Sequence, residues 1–435
     1  MLTDFIEKRV ALTTLGCKLN YAETSTIARK FQDQGFKKVR FGEEADIVVI
    51  NTCSVTQQAD RKCKLAIKKA IKSSPSAFVA VIGCYSQLKS EEISSIKGVD
   101  LVLGTKEKFR ILEYIGKLDK HESPEIYSCG IDAVCGFESS YSMSDRTRAF
   151  LKVQDGCDYQ CTYCTIPLAR GKSRNPEISE ILKNAKKIAS KGTKEIVLTG
   201  VNVGDFGRST ANSFLDLLHE LDLVEGISRY RISSIEPNLL TPEIIRFVST
   251  SKKFMPHFHI PLQSGCNEIL KTMARRYKRE VFSERIHLVK SEMPFACVGV
   301  DVITGFPGET DEYFSETFNF IEDLPVSYLH VFSYSERQNT KAADMDGKVS
   351  PMEKEQRSRK LIELSEVKRH TFYQSNLGKH SEILFESRAV QGMLLGFTSN
   401  YIKVETPASP GLINSIHTGK LTGISKLGNV SIELI

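Results

Sequence analysis

Three cysteines within eight residues constrain this chain more than any other feature of its sequence. They are Cys157, Cys161 and Cys164, and their spacing is C-x3-C-x2-C. The chain has 11 cysteines in 435 residues, so chance is a poor explanation for that spacing. Thiolates on one short loop bind soft metal centres, and zinc and iron-sulfur clusters are the obvious candidates. The loop therefore predicts a metal centre, with buried structural thiols as the alternative.

The number of ligands separates zinc from an iron-sulfur cluster. Structural zinc sites take four protein ligands, whereas this loop supplies three cysteines and no neighbouring histidine. A cluster held by three cysteines keeps one iron open for a small molecule. The spacing, with Tyr163 directly before the last cysteine, resembles the signature of the radical S-adenosylmethionine (SAM) enzymes. That resemblance implies a 4Fe-4S cluster on Cys157, Cys161 and Cys164 that binds SAM and cleaves it to a 5'-deoxyadenosyl radical.

The composition is that of a soluble globular protein. Hydrophobic residues make up 41% of the chain and charged residues 26%. No apolar run approaches the roughly 20 residues that span a bilayer, and the first residues lack the apolar core of a signal peptide. We therefore expect a cytoplasmic protein whose cysteines are ligands or free thiols rather than disulfides. The net charge of +6 permits a polyanionic partner without requiring one.

Residues 1–120 alternate short apolar runs with amphipathic segments, which is typical of a doubly wound parallel sheet. The predicted strands are residues 9–15, 47–50, 78–82 and 101–103, and the predicted helices are residues 22–34, 56–73 and 106–115. A cysteine follows each of the first three strands: Cys17, Cys53 and Cys84. Ligands of open α/β sheets bind at the carboxyl edge of the strands, so we expect these cysteines to converge. The alternative is three small buried residues, since free cysteine is often buried.

A second alternation of strands and helices begins at Ala149 and repeats about six times. The predicted strands are residues 149–153, 196–199, 229–233, 258–260, 297–303 and 328–332. Six β/α units predict a partial parallel barrel, whose active site lies at the C-terminal ends of the strands. Glycine there lets the backbone approach a ligand, and polar side chains can bond ribose hydroxyls and an amino acid group. The predicted SAM contacts are Tyr163, Gly200, Asn202, Ser233, Glu236, Gln263, Ser264, Asp301 and Thr304.

Two basic clusters follow the same strand ends. The predicted RNA contacts are Arg170, Lys172 and Arg174 in one cluster and Arg275 and Arg276 in the other. They could bind phosphates beside an active site, and the alternative is a solvated charged surface. After a charged helical connector, five short strands from residue 377 onward predict a small antiparallel barrel of a kind that often binds RNA. That segment is nearly neutral, with five Lys and Arg against four Asp and Glu, so its RNA affinity must come from the placement of its charges.

These features together resemble the radical SAM methylthiotransferase family over essentially the whole chain. The resemblance implies an α/β protein with a flavodoxin-like doubly wound domain, a partial (β/α)6 TIM-like radical SAM barrel and a small C-terminal antiparallel β-barrel, the TRAM domain. It also implies an auxiliary 4Fe-4S cluster on Cys17, Cys53 and Cys84. The expected domains are residues 1–120, 146–370 and 371–435, with residues 121–145 as a connector.

The residues around Cys17 indicate a branch of that family. Lys18 and Leu19 separate Cys17 from Asn20, which looks like the branch that modifies N6-threonylcarbamoyladenosine in tRNA. The isopentenyladenosine branch typically has Gln-Met at these two positions, and the ribosomal-protein branch has Pro-Lys. The resemblance implies that one SAM donates a methyl group to sulfur on the auxiliary cluster and that a second SAM yields the radical that removes hydrogen from adenine C2. The implied partners are the tRNA anticodon loop, a sulfur donor and an external electron donor of the flavodoxin or ferredoxin type.

Two other classes of function stay open at this point. One is a non-catalytic iron-sulfur protein that binds RNA or senses redox state. The other is a radical SAM enzyme that acts on a protein side chain. A non-catalytic protein would not need a SAM site built from successive strand ends.

Overall fold

The computed structural model describes residues 7–116, 118–120, 123–143, 146–208 and 210–435. It contains two compact units. The first unit comprises Met1–Ser142, Phe150–Pro176 and Ser335–Thr340, and the second comprises Met143–Ala149, Glu177–Tyr334 and Lys341–Ile435. All six cysteines of the two predicted clusters therefore belong to the first unit. Of the predicted connector, residues 121, 122, 144 and 145 lie outside the described residues.

A six-stranded parallel sheet with the order β2-β1-β3-β4-β5-β6 forms the core of the first unit. Its strands are β1 (Arg9–Thr14), β2 (Lys37–Val39), β3 (Ile47–Thr52), β4 (Phe78–Gly83), β5 (Leu101–Leu103) and β6 (Glu125–Tyr127). The helices between them are α1 (Lys18–Asp33), α2 (Gln57–Ser73), α3 (Cys84–Leu88), α4 (Ser90–Ser94) and α5 (Ile111–Tyr114). The order 2-1-3-4-5 is that of flavodoxin-like sheets, so the predicted doubly wound fold is confirmed.

Both faces of this sheet are covered by apolar side chains. Val49 and its neighbours pack with Phe31 of α1, whereas Val48 packs with Ile67 of α2. Successive residues of a strand point to opposite faces, so the unbroken apolar run of β3 supplies both layers. The strand is fully buried as a result.

From β7 onward the chain repeats strand and helix. The strands are β7 (Arg148–Lys152), β8 (Glu195–Thr199), β9 (Arg229–Ile232), β10 (His257–Gln263), β11 (Cys297–Thr304) and β12 (Tyr328–Ser333). The helices are α6 (Ile166–Arg170), α7 (Ile178–Ala189), α8 (Phe214–Asp222), α9 (Pro242–Thr250), α10 (Asn267–Thr272), α11 (Arg279–Glu292), α12 (Asp311–Asp323) and α13 (Pro351–Gln374). In the second unit β8 pairs with β9, and β11 lies between β10 and β12 and pairs with both. All of these pairs are parallel. The six predicted strands are therefore present, and parallel pairing puts the ends of paired strands at a common edge.

Hydroxyl side chains mark where four helices of the second unit begin. Each accepts a hydrogen bond from a backbone N–H of the first turn, which would otherwise have no partner within the helix. These residues are Ser213 before α8, Thr241 before α9, Thr310 before α12 and Ser350 before α13. Short 3₁₀ turns cover Glu107–Arg110, Ile131–Ala133, Val203–Asp205, Lys341–Asp344 and Pro410–Leu412. Among the helices that the structure describes, none is both long enough and apolar enough to cross a membrane.

The chain ends in a closed five-stranded barrel with the order β13-β14-β15-β17-β16. Its strands are β13 (His380–Val390), β14 (Met393–Thr398), β15 (Lys403–Pro407), β16 (Ile416–Ile424) and β17 (Val430–Leu434). The predicted barrel is confirmed, but it is not wholly antiparallel because β15 pairs with β17 in parallel. The antiparallel β16–β17 hairpin returns the last strand to β15 in the same direction, which closes the barrel.

Residues 398–401 of this barrel pack against strands β9 and β10 of the same unit. Tyr401 stacks on His257 of β10 with ring centroids 4.1 Å apart. Arg231 of β9 donates hydrogen bonds to the carbonyl oxygens of Thr398 and Ser399, at 2.8 and 2.9 Å. Tyr401 therefore packs inside the second unit, where it is not available to stack on RNA bases.

Candidate metal centre and cofactor-binding site

Cys17, Cys53 and Cys84, here called the N-terminal trio, lie at one edge of the first sheet. Cys17 directly precedes α1, Cys53 follows β3, and Cys84 is the first residue of α3 after β4. The three preceding strands are neighbours, and the strand order reverses between β1 and β3. Ligands of flavodoxin-like sheets bind at this point of reversal, outside the carboxyl ends of the strands.

The thiols of the N-terminal trio are close enough to influence one another. Burial raises the pKa of Cys53 to about 12, and the neighbouring thiols of Cys84 and Cys17 add to the rise. Cys53 and Cys84 are each 5% exposed, while Cys17 is open to solvent. A thiol must lose its proton before it can bind a metal. Metal binding here would therefore release protons.

Glycine at position 16 allows the loop after β1 to pass close to Cys53. Gly16 has a φ of +105°, which side chains rarely adopt. A Cβ atom at Gly16 would lie 2.6 Å from Cys53 Cβ and 2.9 Å from its Sγ. Any other residue at position 16 would displace Cys53 from its place beside Cys17.

Cys157, Cys161 and Cys164, here called the loop trio, follow β7 in a loop that folds back on itself. Backbone hydrogen bonds of 2.9 Å in both directions join Asp155 to Arg174 at its base. Gly156 has a φ of +70°, and a Cβ there would lie 2.0 Å from the carbonyl oxygen of Lys172. Glycine is thus required where the two ends of the loop meet.

Backbone N–H groups point at two sulfur atoms of the loop trio. The N–H of Tyr159 donates to Cys157 Sγ at 3.4 Å, and that of Ile166 donates to Cys164 Sγ at 3.5 Å. Hydrogen bonds to cysteine sulfur help to set the reduction potential of iron-sulfur clusters. The loop thus resembles a preformed ligand loop more than a set of buried structural thiols, and all three cysteines are partly exposed.

The thiols of each trio are farther apart than the ligand atoms of the most compact candidate site for one metal ion. Among the described residues, one group of three side chains brings its ligand atoms within 4.8 Å of one another, and it is His259, Asp301 and His330. Neither cysteine trio is as compact as that. Cysteines that bind different irons of a four-iron cluster need a wider spacing than the ligands of one ion.

Five charged side chains of the first unit, here called the buried charge network, lie beside these loops. Lys108 Nζ is 2.6 Å from Glu23 Oε2, and Lys152 Nζ is 2.7 Å from Asp155 Oδ2. Arg170 joins the two carboxylates, with Nη1 2.8 Å from Asp155 Oδ1 and 3.0 Å from Glu23 Oε1. Each of the five side chains is at most 1% exposed. This network was not predicted from the sequence, although Lys152 after the apolar residues of β7 was a signal for it.

The network corrects the prediction for part of the first basic cluster. A side chain that is 1% exposed and bound to two carboxylates cannot reach a phosphate at the surface, so the expected RNA contact of Arg170 is replaced by ion pairing. Arg174 is 14% exposed and binds Asp155 Oδ2 at 3.1 Å. Lys172 is exposed.

The second basic cluster also contains one arginine that is buried in an ion pair and one that is exposed. Arg275 forms an ion pair with Glu236, and the two side chains are 4% and 11% exposed. Burial raises the pKa of Glu236, although Arg275 opposes the rise. The backbone N–H of Glu236 donates to Asn202 Oδ1 at 3.4 Å, which joins the loops after β8 and β9. Arg276 is exposed.

The predicted SAM contacts on β10 and β11 also have partners within the second unit. Asp301 Oδ1 lies 2.6 Å from His259 Nε2 and 3.2 Å from His330 Nδ1. Ser264 Oγ and Thr317 Oγ1 are 3.0 Å apart. The remaining close pair is Thr304 Oγ1 and Ser358 Oγ, at 2.7 Å.

Two further strand-end residues keep features that suit a ligand. Gln263 has a φ of +67°, and the pairing of β10 with β11 shifts between Pro261 and Gln263. Bulges and left-handed non-glycine residues concentrate at functional sites. Ser233 Oγ is buried and finds no hydrogen-bond partner among the residues described. Gly200 lies directly after β8 and is partly exposed.

Comparison with known proteins decides the family. The model of Uncharacterized protein family UPF0004 matches residues 9–104, and that of the Radical SAM superfamily matches residues 151–321. The chain is 40% identical over 415 residues to the threonylcarbamoyladenosine tRNA methylthiotransferase MtaB of Bacillus subtilis (strain 168), covering 94% of this chain and 92% of that one. The chain belongs to the MtaB family. The first family model contains the whole N-terminal trio, and the second contains the whole loop trio.

Other similarities place this MtaB family member among its relatives. It is 34% identical over 402 residues to the tRNA-2-methylthio-N(6)-dimethylallyladenosine synthase of Fusobacterium nucleatum, covering 90% of this chain and 92% of that one. The radical SAM methyltransferase TsrM of Kitasatospora setae, solved with cobalamin and a 4Fe-4S cluster, has a similar structure with a TM-score of 0.55. It is 14% identical and covers 78% of this chain and 77% of its own, so it shows a shared fold alone.

Proposed function

We propose that this protein transfers a methylthio group to C2 of N6-threonylcarbamoyladenosine at position 37 of tRNA. The observation that carries the proposal is 40% identity to the threonylcarbamoyladenosine tRNA methylthiotransferase MtaB of Bacillus subtilis, over nearly the full length of both chains. The presence of six cysteines in two trios within one unit is consistent with it. The cofactors are 4Fe-4S clusters and SAM, which supply the radical, the methyl group and the sulfur site.

We assign the cluster ligands from the arrangement of the thiols. The N-terminal trio would hold the auxiliary cluster, and the loop trio would hold the cluster that binds SAM. Three cysteines per cluster leave one iron of each open. The protein's own part is to fix these ligands, to orient SAM and the adenine, and to exclude water.

We assign SAM contacts within each unit by itself, to Tyr163 in the loop of the first unit and to residues at the strand ends of the second unit. The residues are Tyr163, Gly200, Asn202, Ser233, Glu236, Gln263, Ser264, Asp301 and Thr304. The buried hydroxyl of Ser233 supports this assignment because such a group is rarely left without a partner. The strained backbone of Gln263 supports it as well. Asp301 and Glu236 would have to exchange or share their present partners on binding.

Contacts with the anticodon loop fall to a smaller set of basic residues than the sequence suggested. Lys172 and Arg276 are exposed at the surface, whereas Arg170, Arg174 and Arg275 are largely buried beside carboxylates. The terminal barrel would add contacts, and binding should weaken as salt is added. We further propose that residues 1–120, 146–370 and 371–435 act as functional domains in the cytoplasm, with a flavodoxin- or ferredoxin-type reductant and a separate sulfur donor.

The test of the proposal is a choice between two substrates. One tRNA carries N6-threonylcarbamoyladenosine at position 37 and the other carries N6-isopentenyladenosine, and an unmodified tRNA of the same sequence serves as the control. A site that hydrogen-bonds a carboxylate-bearing side chain is left with unpaired buried groups by an apolar chain. Mass spectrometry of the nucleosides should therefore find the 2-methylthio product on the first tRNA only. Efficient turnover of the isopentenyl substrate, or of a ribosomal protein, would contradict the assignment.

A further inference from the structure

The buried charge network of the first unit contains more positive than negative charge. Its members are Lys108, Lys152 and Arg170 on one side and Glu23 and Asp155 on the other. Both carboxylates are already paired with more than one cation. Burying a charge without compensation is costly, so the excess cation calls for a further anionic group nearby.

Beyond the two carboxylates, the groups that act on Arg170 are thiols of the N-terminal trio, which become anionic thiolates when they bind a metal. The pKa of Arg170 is raised because Glu23, Cys84, Asp155 and Cys17 outweigh the effect of its burial. Two of these four groups are thiols of the trio. A four-iron cluster bound by three thiolates carries net negative charge, and net charge is one of the factors that set its reduction potential.

A chain of hydrogen bonds also connects Arg170 to the backbone beside two of these cysteines. Arg170 Nη2 donates to Asn20 Oδ1 at 2.6 Å. Asn20 Nδ2 in turn donates to the carbonyl oxygens of Leu15 and Thr52, each at 3.0 Å. Leu15 is two residues before Cys17, and Thr52 directly precedes Cys53. Asn20 is fully buried, so these bonds do not compete with water.

We propose that Arg170 is a positioning residue for the auxiliary cluster, which it holds through Asn20 and whose negative charge it balances. This rests on the proposed assignment of that cluster to the N-terminal trio. It links the loop that carries Cys157, Cys161 and Cys164 to the ligands of the other cluster. The role differs from RNA binding, which the basic sequence around Arg170 suggests.

The test is a redox titration of the reconstituted full-length holoprotein, followed by electron paramagnetic resonance. A Cys17→Ala/Cys53→Ala/Cys84→Ala variant identifies the signal of the other cluster, so that the auxiliary signal can be assigned by difference. Arg170→Gln should shift the auxiliary potential to more negative values, because a lost positive charge disfavours the reduced form. Each carboxylate keeps a lysine partner in this variant, which favours folding. An unchanged potential at full iron content would overturn the inference.

Two matched variants separate charge from general disruption. Arg174→Gln removes a cation from the same loop, but the Arg174 side chain is 14% exposed and solvent screens its charge, so this variant should leave the auxiliary potential in place. An equal shift in Arg174→Gln and Arg170→Gln would overturn the role of Arg170. Arg170→Lys keeps the charge and loses the forked hydrogen bonding. It should hold the potential near the wild-type value while auxiliary iron is lost to a chelator roughly tenfold faster.

The Arg170→Lys variant also decides the outcome if Arg170→Gln does not fold. Chelator loss at the wild-type rate in Arg170→Lys would then contradict the inference. The outcomes for the proposed function are different ones. If the Cys17→Ala/Cys53→Ala/Cys84→Ala variant retained both signals, the assignment of the auxiliary cluster would fail, whatever Arg170 does.

Discussion

Both units bury more cations than carboxylates at one place, but they satisfy the excess differently. In the second unit, Arg229 and Arg231 surround Glu195, and both also donate to backbone carbonyl oxygens of residues 397–399. In the first unit, the excess guanidinium of Arg170 lies near the thiols of the N-terminal trio. The backbone of the second unit thus supplies acceptors for its two arginines. In our proposal, a bound anionic centre compensates the excess charge of the first unit instead.

The largest expected effect comes from the loop trio. Replacing Cys157, Cys161 and Cys164 by alanine should abolish reductive SAM cleavage, because the cluster that binds SAM would have no ligands. The assay is the appearance of 5'-deoxyadenosine under reducing, anaerobic conditions. Production of 5'-deoxyadenosine by this variant would show that the loop does not have the proposed role.

The N-terminal trio should separate radical formation from sulfur insertion. A Cys17→Ala/Cys53→Ala/Cys84→Ala variant should still cleave SAM detectably, because its loop trio is intact. It should form no 2-methylthio product, since the site of sulfur transfer is missing. Mass spectrometry of tRNA nucleosides checks this, and full product formation would rule out the trio as that site.

The comparison of the two buried carboxylates predicts unequal losses of stability. Glu23→Gln leaves three buried cations with one carboxylate fewer and should cost about 3–5 kcal/mol. Glu195→Gln should cost less, about 1–3 kcal/mol, because Arg231 keeps its hydrogen bonds to Thr398 and Ser399. Denaturant unfolding of the cluster-free proteins measures both. Equal losses would contradict the distinction between the two sites.

The smallest expected effect is on the acid stability of the cluster-free protein. Burial opposes the ionisation of Glu23, but Arg170, Lys108 and Lys152 outweigh it and lower the pKa from 4.5 to about 2. A lowered pKa stabilises the fold above the unfolded value, and this contribution is lost as the pH falls from 4.5 towards 2. Glu23→Gln should lack that part of the acid-dependent loss of stability, whereas Glu195→Gln should retain it.

Regular strands were predictable because their patterns are local. The predicted residues 78–82 and 297–303 each fall one residue short of the observed β4 and β11. β2 and β6 were missed because these edge strands lack the apolar run that marked the equally short β5. The five-residue helices α3 and α4 are too short to show a helical period.

The position of the N-terminal trio could also be predicted, since each cysteine follows a strand that its own sequence marks. The environment of Arg170 could not be predicted. Its partner Glu23 is 147 residues away in the chain, and the local sequence shows only a basic run. The same holds for Arg275 and Glu236, which are separated by 39 residues. Two predicted RNA contacts, Arg170 and Arg275, therefore form ion pairs with residues that are distant in the sequence.

The central claim is that each trio holds a cluster of its own, and iron analysis of anaerobically reconstituted protein tests it most directly. The wild-type chain should bind about eight irons, as two four-iron clusters. Each triple alanine variant should bind about four irons, with Mössbauer spectra that add up to the wild-type spectrum. A variant that keeps the full iron content of the wild-type protein would contradict the claim.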